Sequence, residues 1–414
     1  MRVQSLHLAN FRNYSALSVT FSARKNIFLG NNGQGKTNLL EAIYFLSHAR
    51  SHRTSSDREL IQTGQRFATI SAQLTNHHYE GRVQLESQVK VEDERLKTVF
   101  KVNGSPLRSR SEMLGHLPTV SFFLPDLLLL RGTPEDRRRW LDAAIVQYDK
   151  RHLLYLNEFH KVRQQKNKLL KSPMEQISRD HLSAWNVQFA AMGAKVIASR
   201  QTYLSMIEDL AALAYLELSD NREQLTFKYQ STVLDMLAPQ NLADHSAGLP
   251  HGAPLPDVIE LEAALMRLLD EKMNDELRRG TCLVGPHRDD IHFYLDGLPA
   301  DAYGSQGQQR SVVLALKLTE LKCLSAKLQE PPVLLLDDVM AELDPDRQRL
   351  LVTHIHPESQ VFMTTTHPTS SWQTLLERES GQTDQNTDSY LAAFTVDHGH
   401  LFDRLAHPQP ELNS

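Results

Sequence analysis

Eight consecutive residues, Gly30-Asn31-Asn32-Gly33-Gln34-Gly35-Lys36-Thr37, combine glycines, an ammonium group and a hydroxyl in the order G-x-x-x-x-G-K-T. The glycines let the backbone turn tightly with its N–H groups inward, where they and the helix N-terminus that follows can hold phosphate oxygens. Lys36 would neutralise the outer phosphates and Thr37 would ligate Mg²⁺, the chemistry of a P-loop. Far downstream, Asp337 and Asp338 end the apolar run Val333-Leu334-Leu335-Leu336. A fully buried strand ending in acid is what places a carboxylate beside P-loop Mg²⁺, so Asp337 is the metal-side candidate.

Four further stretches carry groups that could join these. Tyr303-Gly304-Ser305-Gln306-Gly307-Gln308-Gln309-Arg310 precedes a helical pattern; Ser305 there either helps bind an anion or is a plain helix N-cap. His367 follows the strand-like Gln360-Val361-Phe362-Met363 and three threonines, a position at the carboxyl end of a strand where open α/β sheets bind ligands. Arg12, in Asn10-Phe11-Arg12-Asn13-Tyr14, either reaches a phosphate or is an ordinary surface arginine. Gly285-Pro286-His287-Arg288-Asp289-Asp290 lacks a helical metal spacing and reads as a polar loop close to nucleotide or DNA.

Positioning these groups requires a strand at Ile27–Leu29 and a helix whose Leu39, Ile43 and Leu46 form one apolar face. Leu6 and Leu8, then Leu17, Val19 and Phe21, predict a strand pair before the P-loop. Period-two segments between His48 and Leu130, with Asn103-Gly104 as a hairpin signal, predict an antiparallel sheet. Thr133, Pro134, Glu135 and Asp136 mark a helix start. Helical texture then continues to about 235, broken only by Pro173 and Gly193, and 238–256 is a Pro- and Gly-rich linker. The expected division is 1–132, a helical arm over 133–237, and 238–414. Within the arm, Lys161, Arg163, Lys166, Lys168 and Lys171 are basic with no acid among them. They are either a solvated helix face or a surface for DNA phosphates, to which Arg137, Arg138 and Arg139 could add.

A chain of 414 residues exceeds the usual size of a single core, so several lobes are expected. Its net charge of −5 confines any nucleic-acid contact to a local basic face. The two cysteines, Cys282 and Cys323, offer neither a disulfide framework nor a metal pair. No apolar run approaches a membrane span and the N-terminal residues lack a signal-peptide pattern, so a cytoplasmic location is expected.

Taken together, the loop at 30–37, Ser305-Gln306-Gly307-Gln308-Gln309, Asp337-Asp338, Glu342-Leu343-Asp344 and His367 resemble an ABC-type ATPase of the SMC and Rad50 branch. Phe11-Arg12-Asn13-Tyr14, the P-loop, Gly285 to Asp290 and Leu336-Asp337-Asp338 are similar to the RecF family of bacterial recombination proteins. The resemblance runs from Met1 to about His367 and leaves the final segment without a reading.

This resemblance implies an α/β fold: an ABC-type P-loop ATPase head with mixed sheets and an inserted helical arm. It implies ATP and Mg²⁺ as cofactors, held by residues 30–37 with Thr37 and Asp337 on the metal. Asp338 would be the general base, His367 the switch histidine, and Ser305 a contact to the other subunit's γ-phosphate. The implied activity is slow DNA-dependent ATP hydrolysis in an ATP-gated homodimer. That dimer would bind single-stranded and duplex DNA at gap junctions and help RecR and RecO load RecA. Three features depart from the pattern: Gln306 replaces the signature's first glycine, Asp338 is one methylene shorter than the usual glutamate, and no glutamine is assigned to the Q-loop, for which Asp126 after Pro125 is a candidate. A transporter ATPase subunit and a small-molecule kinase are the competing readings; DNA-stimulated hydrolysis and product analysis separate them.

Overall fold

The computed structural model describes residues 1–75, 81–173, 178–219, 222–237, 254–366 and 391–403; His367 lies outside them. In chain order, β1 (Arg2–Phe11), β2 (Tyr14–Thr20) and β3 (Lys25–Leu29) precede α1 (Lys36–His48). Next come β4 (Phe67–Thr75), β5 (Val83–Glu92), β6 (Arg95–Val102), β7 (Ser105–Pro106) and β8 (Thr119–Phe122). Helices α2 (Pro134–Tyr148), α3 (Arg151–Leu170) and α4 (Arg179–Leu218) lead to β9 (Leu225–Gln230), α5 (Thr232–Leu237) and α6 (Val258–Arg279). The chain then forms β10 (Asp290–Leu295), β11 (Leu298–Pro299), α7 (Ala300–Tyr303) and α8 (Gln306–Leu328). Last are β12 (Val333–Asp337), α9 (Pro345–His354), β13 (Val361–Thr365), β14 (Leu391–Asp397) and β15 (His400–Asp403).

Two compact units result: residues up to Asp126 together with those from Glu320 onward, and Leu127–Thr319. The described residues 254–319, placed by the sequence reading in the C-terminal part of the ATPase head, cluster with the helices of the arm, and α8 contains the boundary between the units.

In the first unit a six-stranded sheet runs in the order β15-β14-β3-β13-β12-β8. β14, β3, β13, β12 and β8 are mutually parallel, and only β15 is antiparallel to its neighbour. β3, β12 and β13 are buried along their whole length, which explains the apolar run Val333–Leu336 of β12, while Lys25 and Asn26 of β3 and Thr364 and Thr365 of β13 are buried polar residues. Register sets Asp337 beside Thr364, and Thr365 beside Leu29. The strand ends that precede the P-loop and carry Asp337 thus flank the end of β13 on its two sides. The antiparallel sheet β2-β1-β4-β5-β6-β7 forms the rest of the unit, and its β6–β7 turn is Asn103-Gly104 with φ of 50° and 78°, as that dipeptide predicts. Phe21, Phe28, Phe362 and Phe394 pack edge-on and stacked at the centre of the core.

Helix α1 differs from expectation. Every residue from Leu39 to His48 is buried, including Glu41, because the helix packs on strands of both sheets. A helix enclosed on all sides shows no single apolar stripe.

The second unit packs α2, α3, α4 and α6 with the three-stranded antiparallel sheet β11-β10-β9. Its α2 begins with a capping box formed by Thr133 and Asp136, with Pro134 in the first turn. Gly193 does not break α4, which runs 40 residues through it. A Cβ there would lie 2.7 Å from Leu265 Cδ2, so glycine is what lets α6 approach. Lys166 is not on the solvated face expected of it. Its Nζ, fully enclosed, donates to Glu276 Oε2 at 2.6 Å and lies 4.9 Å from the Phe189 ring.

Removing one member of such a pair leaves a buried charge without compensation. Lys166→Ala should therefore lower the unfolding free energy by about 3–5 kcal/mol, measured by denaturant titration. A loss under about 1 kcal/mol would instead fit an exposed lysine.

Candidate nucleotide site

At the carboxyl end of β3 the chain turns through the glycine loop into α1. Asn31, Asn32 and Gly33 are exposed, whereas Gly35 and Lys36 are buried. Lys36 Nζ folds back into the loop, donating to Gly30 O at 2.8 Å and Asn31 O at 3.1 Å. Two turns from opposite ends of the chain hold the loop. Asn13 Nδ2 donates to Gln34 O at 2.8 Å, and the backbone N–H of His398 donates to Gln34 Oε1 at 2.6 Å. Gly30 is required by close approach, since a Cβ there would lie 2.4 Å from Val396 O. Tyr14 OH donates to Gly35 O at 3.0 Å. The contribution of β14 and the turn after it comes from the final segment, which the sequence left without a reading. Its apolar run Leu391-Ala392-Ala393-Phe394 is the only signal there.

Thr37 Oγ1 donates to Asp337 Oδ1 at 3.0 Å, so the loop hydroxyl and the carboxylate meet as the spacing predicted. Thr364 was not foreseen. Its hydroxyl donates to the same Asp337 oxygen at 2.7 Å and accepts the Asp338 N–H at 2.9 Å, locking both acids to β13. Burial pushes the Asp337 carboxyl above its ordinary range and the Asp338 charge adds to this, with the two threonine hydrogen bonds offsetting only part. Asp338 adopts left-handed backbone at φ 52°, and its Oδ1 is buried with no hydrogen-bond partner. An unpartnered acceptor beside a hydroxyl–carboxylate pair suits a site built to receive water and a hard cation. Among the described residues no cluster of three acidic, histidine or cysteine side chains forms an all-protein metal cage. Mg²⁺ bound through one carboxylate, a hydroxyl and phosphate oxygens needs none. The residues present therefore fit ATP with Mg²⁺.

Arg12 is held by hydrogen bonds within the unit. Its Nε and one terminal nitrogen donate to Glu41 at 2.9 and 2.7 Å, and the other donates to Glu59 O at 2.7 Å. Glu41 also accepts from Ser51 at 2.6 Å and Arg53 at 3.3 Å. Burial alone would raise the Glu41 carboxyl; the hydrogen bonds from Arg12 and Ser51 and the charges of Arg12 and Arg53 hold it below the ordinary range. Asp126 accepts the Phe123 N–H at 2.7 Å, closing the turn after β8.

In the second unit, Ser305 is exposed and caps α8: its Oγ accepts the Gln308 N–H at 3.2 Å while Gln308 Oε1 accepts the Ser305 N–H at 2.6 Å. The segment 285–290 is not a polar loop awaiting a ligand. Asp289 is buried and accepts from Tyr229 OH at 2.6 Å, and Asp290 accepts two hydrogen bonds from Arg137 at 2.8 and 2.7 Å. Burial raises the Asp289 carboxyl to about 6. Arg138 donates to Asp289 O, so Arg137 and Arg138 are engaged within the unit, whereas Arg139 is exposed and pairs with Glu135 and Asp136 on its own helix. Of the five basic arm residues, Lys161, Lys168 and Lys171 are exposed, Arg163 is half-buried and Lys166 is enclosed. Lys161 pairs with Glu158 at 2.6 Å.

An acid whose folded pKa lies above its unfolded value contributes stability at low pH, and that contribution is lost as pH rises through the folded pKa. Ionised Asp337 therefore costs stability at neutral pH. Asp337→Asn should raise the ligand-free unfolding temperature at pH 7, a gain that shrinks toward acid, and should abolish the added shift produced by ATP with Mg²⁺. A thermal melt in both states checks this; an unchanged Mg²⁺-dependent shift would remove Asp337 from the metal site.

Residues 2–385 match the family model described as the RecF/RecN/SMC N-terminal domain. The chain is 38% identical over 377 residues to the DNA replication and repair protein RecF of a Picosynechococcus, covering 89% of this chain and 91% of that protein. RecF of Macrococcus caseolyticus is 36% identical over 368 residues, covering 88% and 93%. Among solved structures, the recombination mediator protein RecF-ATP of the RecFOR pathway superposes with a TM-score of 0.80 at 29% identity, covering 97% of each chain. An SMC head bound to the C-winged helix domain of ScpA gives 0.51 at 13% identity over 97% of each, a likeness of fold alone. The fold is thus the expected mixed α/β ABC-type ATPase head with inserted helices, and the chain belongs to the RecF family of DNA replication and repair proteins.

Proposed function

We propose that the chain is an ATP-gated DNA-binding switch of recombinational repair, acting in the cytoplasm as a homodimer that forms with ATP and Mg²⁺ and is released by slow, DNA-dependent hydrolysis. The single observation that carries this reading is the Thr37–Asp337 hydrogen bond, made across 300 positions of sequence beside the unpartnered Asp338 Oδ1. In this reading the amides of residues 30–37 and Lys36 hold the triphosphate, while Thr37 and Asp337 hold Mg²⁺. Bound Mg²⁺ would supply charge neutralisation at the β- and γ-phosphates. Asp338 Oδ1 takes the proton of the attacking water as the bond to the ADP oxygen breaks, giving ADP and inorganic phosphate. Ser305 of one copy would face the γ-phosphate bound by the other, with His367 as switch. With RecR and RecO, the dimer would engage gapped DNA and help load RecA, the role carried by the family resemblance.

Asp338→Asn keeps shape but removes the base. ATP should still bind, phosphate release should fall at least about tenfold, and the ATP-bound dimer should persist longer. Wild-type phosphate release in a coupled assay would move the base to another residue.

Of the five basic residues named on the arm, Lys161, Lys168 and Lys171 are exposed, so replacing these three puts at most three phosphate contacts at stake. Replacing all three by glutamine should flatten the log K against log salt slope for duplex DNA by up to about 2.7 and leave ATP affinity unchanged. An unaltered slope in a salt titration would assign DNA binding to other surfaces.

A further inference from the structure

The two glutamines that follow Gly307 do separate jobs. Gln309 is buried; its amide nitrogen donates to Ala300 O and Gly304 O, both at 3.0 Å, and Arg131 Nε fixes its oxygen at 2.7 Å. That arrangement folds the loop before Ser305. Gln308 faces two ways. Its oxygen accepts the Ser305 N–H at 2.6 Å, and its nitrogen donates to Glu223 Oε1 at 2.5 Å. The other Glu223 oxygen accepts Tyr215 OH at 2.8 Å, and Tyr215 lies in the last turn of α4.

A continuous hydrogen-bonded chain, Tyr215–Glu223–Gln308–Ser305, therefore joins the end of the 40-residue α4 to an exposed serine. A plain N-cap would need only the Ser305–Gln308 exchange, and glutamate serves at Gln308's position as well as glutamine does. Glutamine is distinctive because its amide can also donate, and the acceptor it meets is a carboxylate, giving a charge-assisted and strongly directional bond.

We propose that Glu223 is a positioning residue that ties the placement of Ser305 to the end of α4, so that movement of the helical arm changes the ability of Ser305 to engage nucleotide held by a second copy. This rests on the dimer described under Proposed function. The relay gives that dimer an input from the arm and assigns a role to the glutamine amide of the signature loop.

The test separates capping from relay. Gln308→Glu preserves the acceptor for Ser305 N–H but sets a carboxylate against Glu223. ATP affinity of the monomer, read by calorimetry, should stay unchanged, while the ATP-dependent dimer, read by sedimentation with ATP and Mg²⁺, should weaken about tenfold or more, the worth of one hydrogen bond to a charged group. Adding Glu223→Gln exchanges the amide and the carboxylate and should restore the dimer; a loss of cap or fold would not be rescued in this way. A Gln308→Glu protein that dimerises like wild type overturns the inference alone, as does an exchanged pair that fails to recover. If wild type itself forms no ATP-dependent dimer, the functional reading fails and the relay with it.

Discussion

Everything at the nucleotide site depends on keeping a carboxylate ionised at the buried end of a parallel strand. Asp337 is forced there by register: β12 pairs with β13, β13 with β3, and the P-loop leaves β3 one residue later. Taking a carboxylate out of water is unfavourable, and the Asp337 carboxyl is raised accordingly. Two threonine hydroxyls compensate in part, one from the loop and one from the neighbouring strand. The remainder of that cost stays in the ligand-free protein; in the proposed reading a bound cation would relieve it, setting stability against metal affinity at this residue.

The same logic explains why so much of the surrounding structure consists of close backbone approaches and short hydrogen bonds. A loop that must present its amides to phosphate cannot spend them on itself, so it is held by other groups: Asn13 and Tyr14 on one side, the turn at His398 on the other. Arg12 is held similarly. Its three guanidinium nitrogens are engaged by Glu41 and Glu59 O, and Glu41 is fixed from below by the enclosed helix α1. Glu41 belongs to the P-loop helix itself, and the two arginines that share its buried carboxylate leave one excess positive charge there; Arg53 also acts on Asp337.

Legibility in the sequence followed the range of the interactions. The glycine loop, the Asn103-Gly104 turn and the Thr133 capping box are local patterns whose chemistry fits within a few residues, and each was readable directly. Asp337 was readable because a continuous apolar run ending in acid has few other uses beside a P-loop. Thr364 and Glu41 were not, because their roles come from register and from a helix enclosed on both sides. Nor was β14, whose pairing with β3 is set across most of the chain. Lys166 failed for the complementary reason. Charge runs record composition but not direction, and at helical spacing one of five basic residues turned toward Glu276 rather than solvent.

The segment 285–290 shows why a polar motif shared with a family need not be a binding loop. Its charged and polar neighbours form one buried system: Asp289 with Tyr229, Tyr229 with Arg200, and Arg200 with Asp142 and Pro286 O. Burial pushes Asp289 up, whereas the less enclosed Asp142 is held well below the ordinary range because the Arg200 charge and His152 outweigh its desolvation. Arg200 favours the ionised form of both carboxylates, but only at Asp142, to which it donates two hydrogen bonds, do its contacts and those of His152 outweigh burial. Such a network joins α2, α4, β9 and the loop before β10 with directional bonds that apolar packing would not specify. That specificity matters because α4 must deliver Tyr215, at its far end, to a position fixed well enough to meet Glu223. Arg200 lies near the middle of α4 and Tyr215 in its last turn, so the polar clamp around Arg200 holds the helix from which the proposed relay to Ser305 starts.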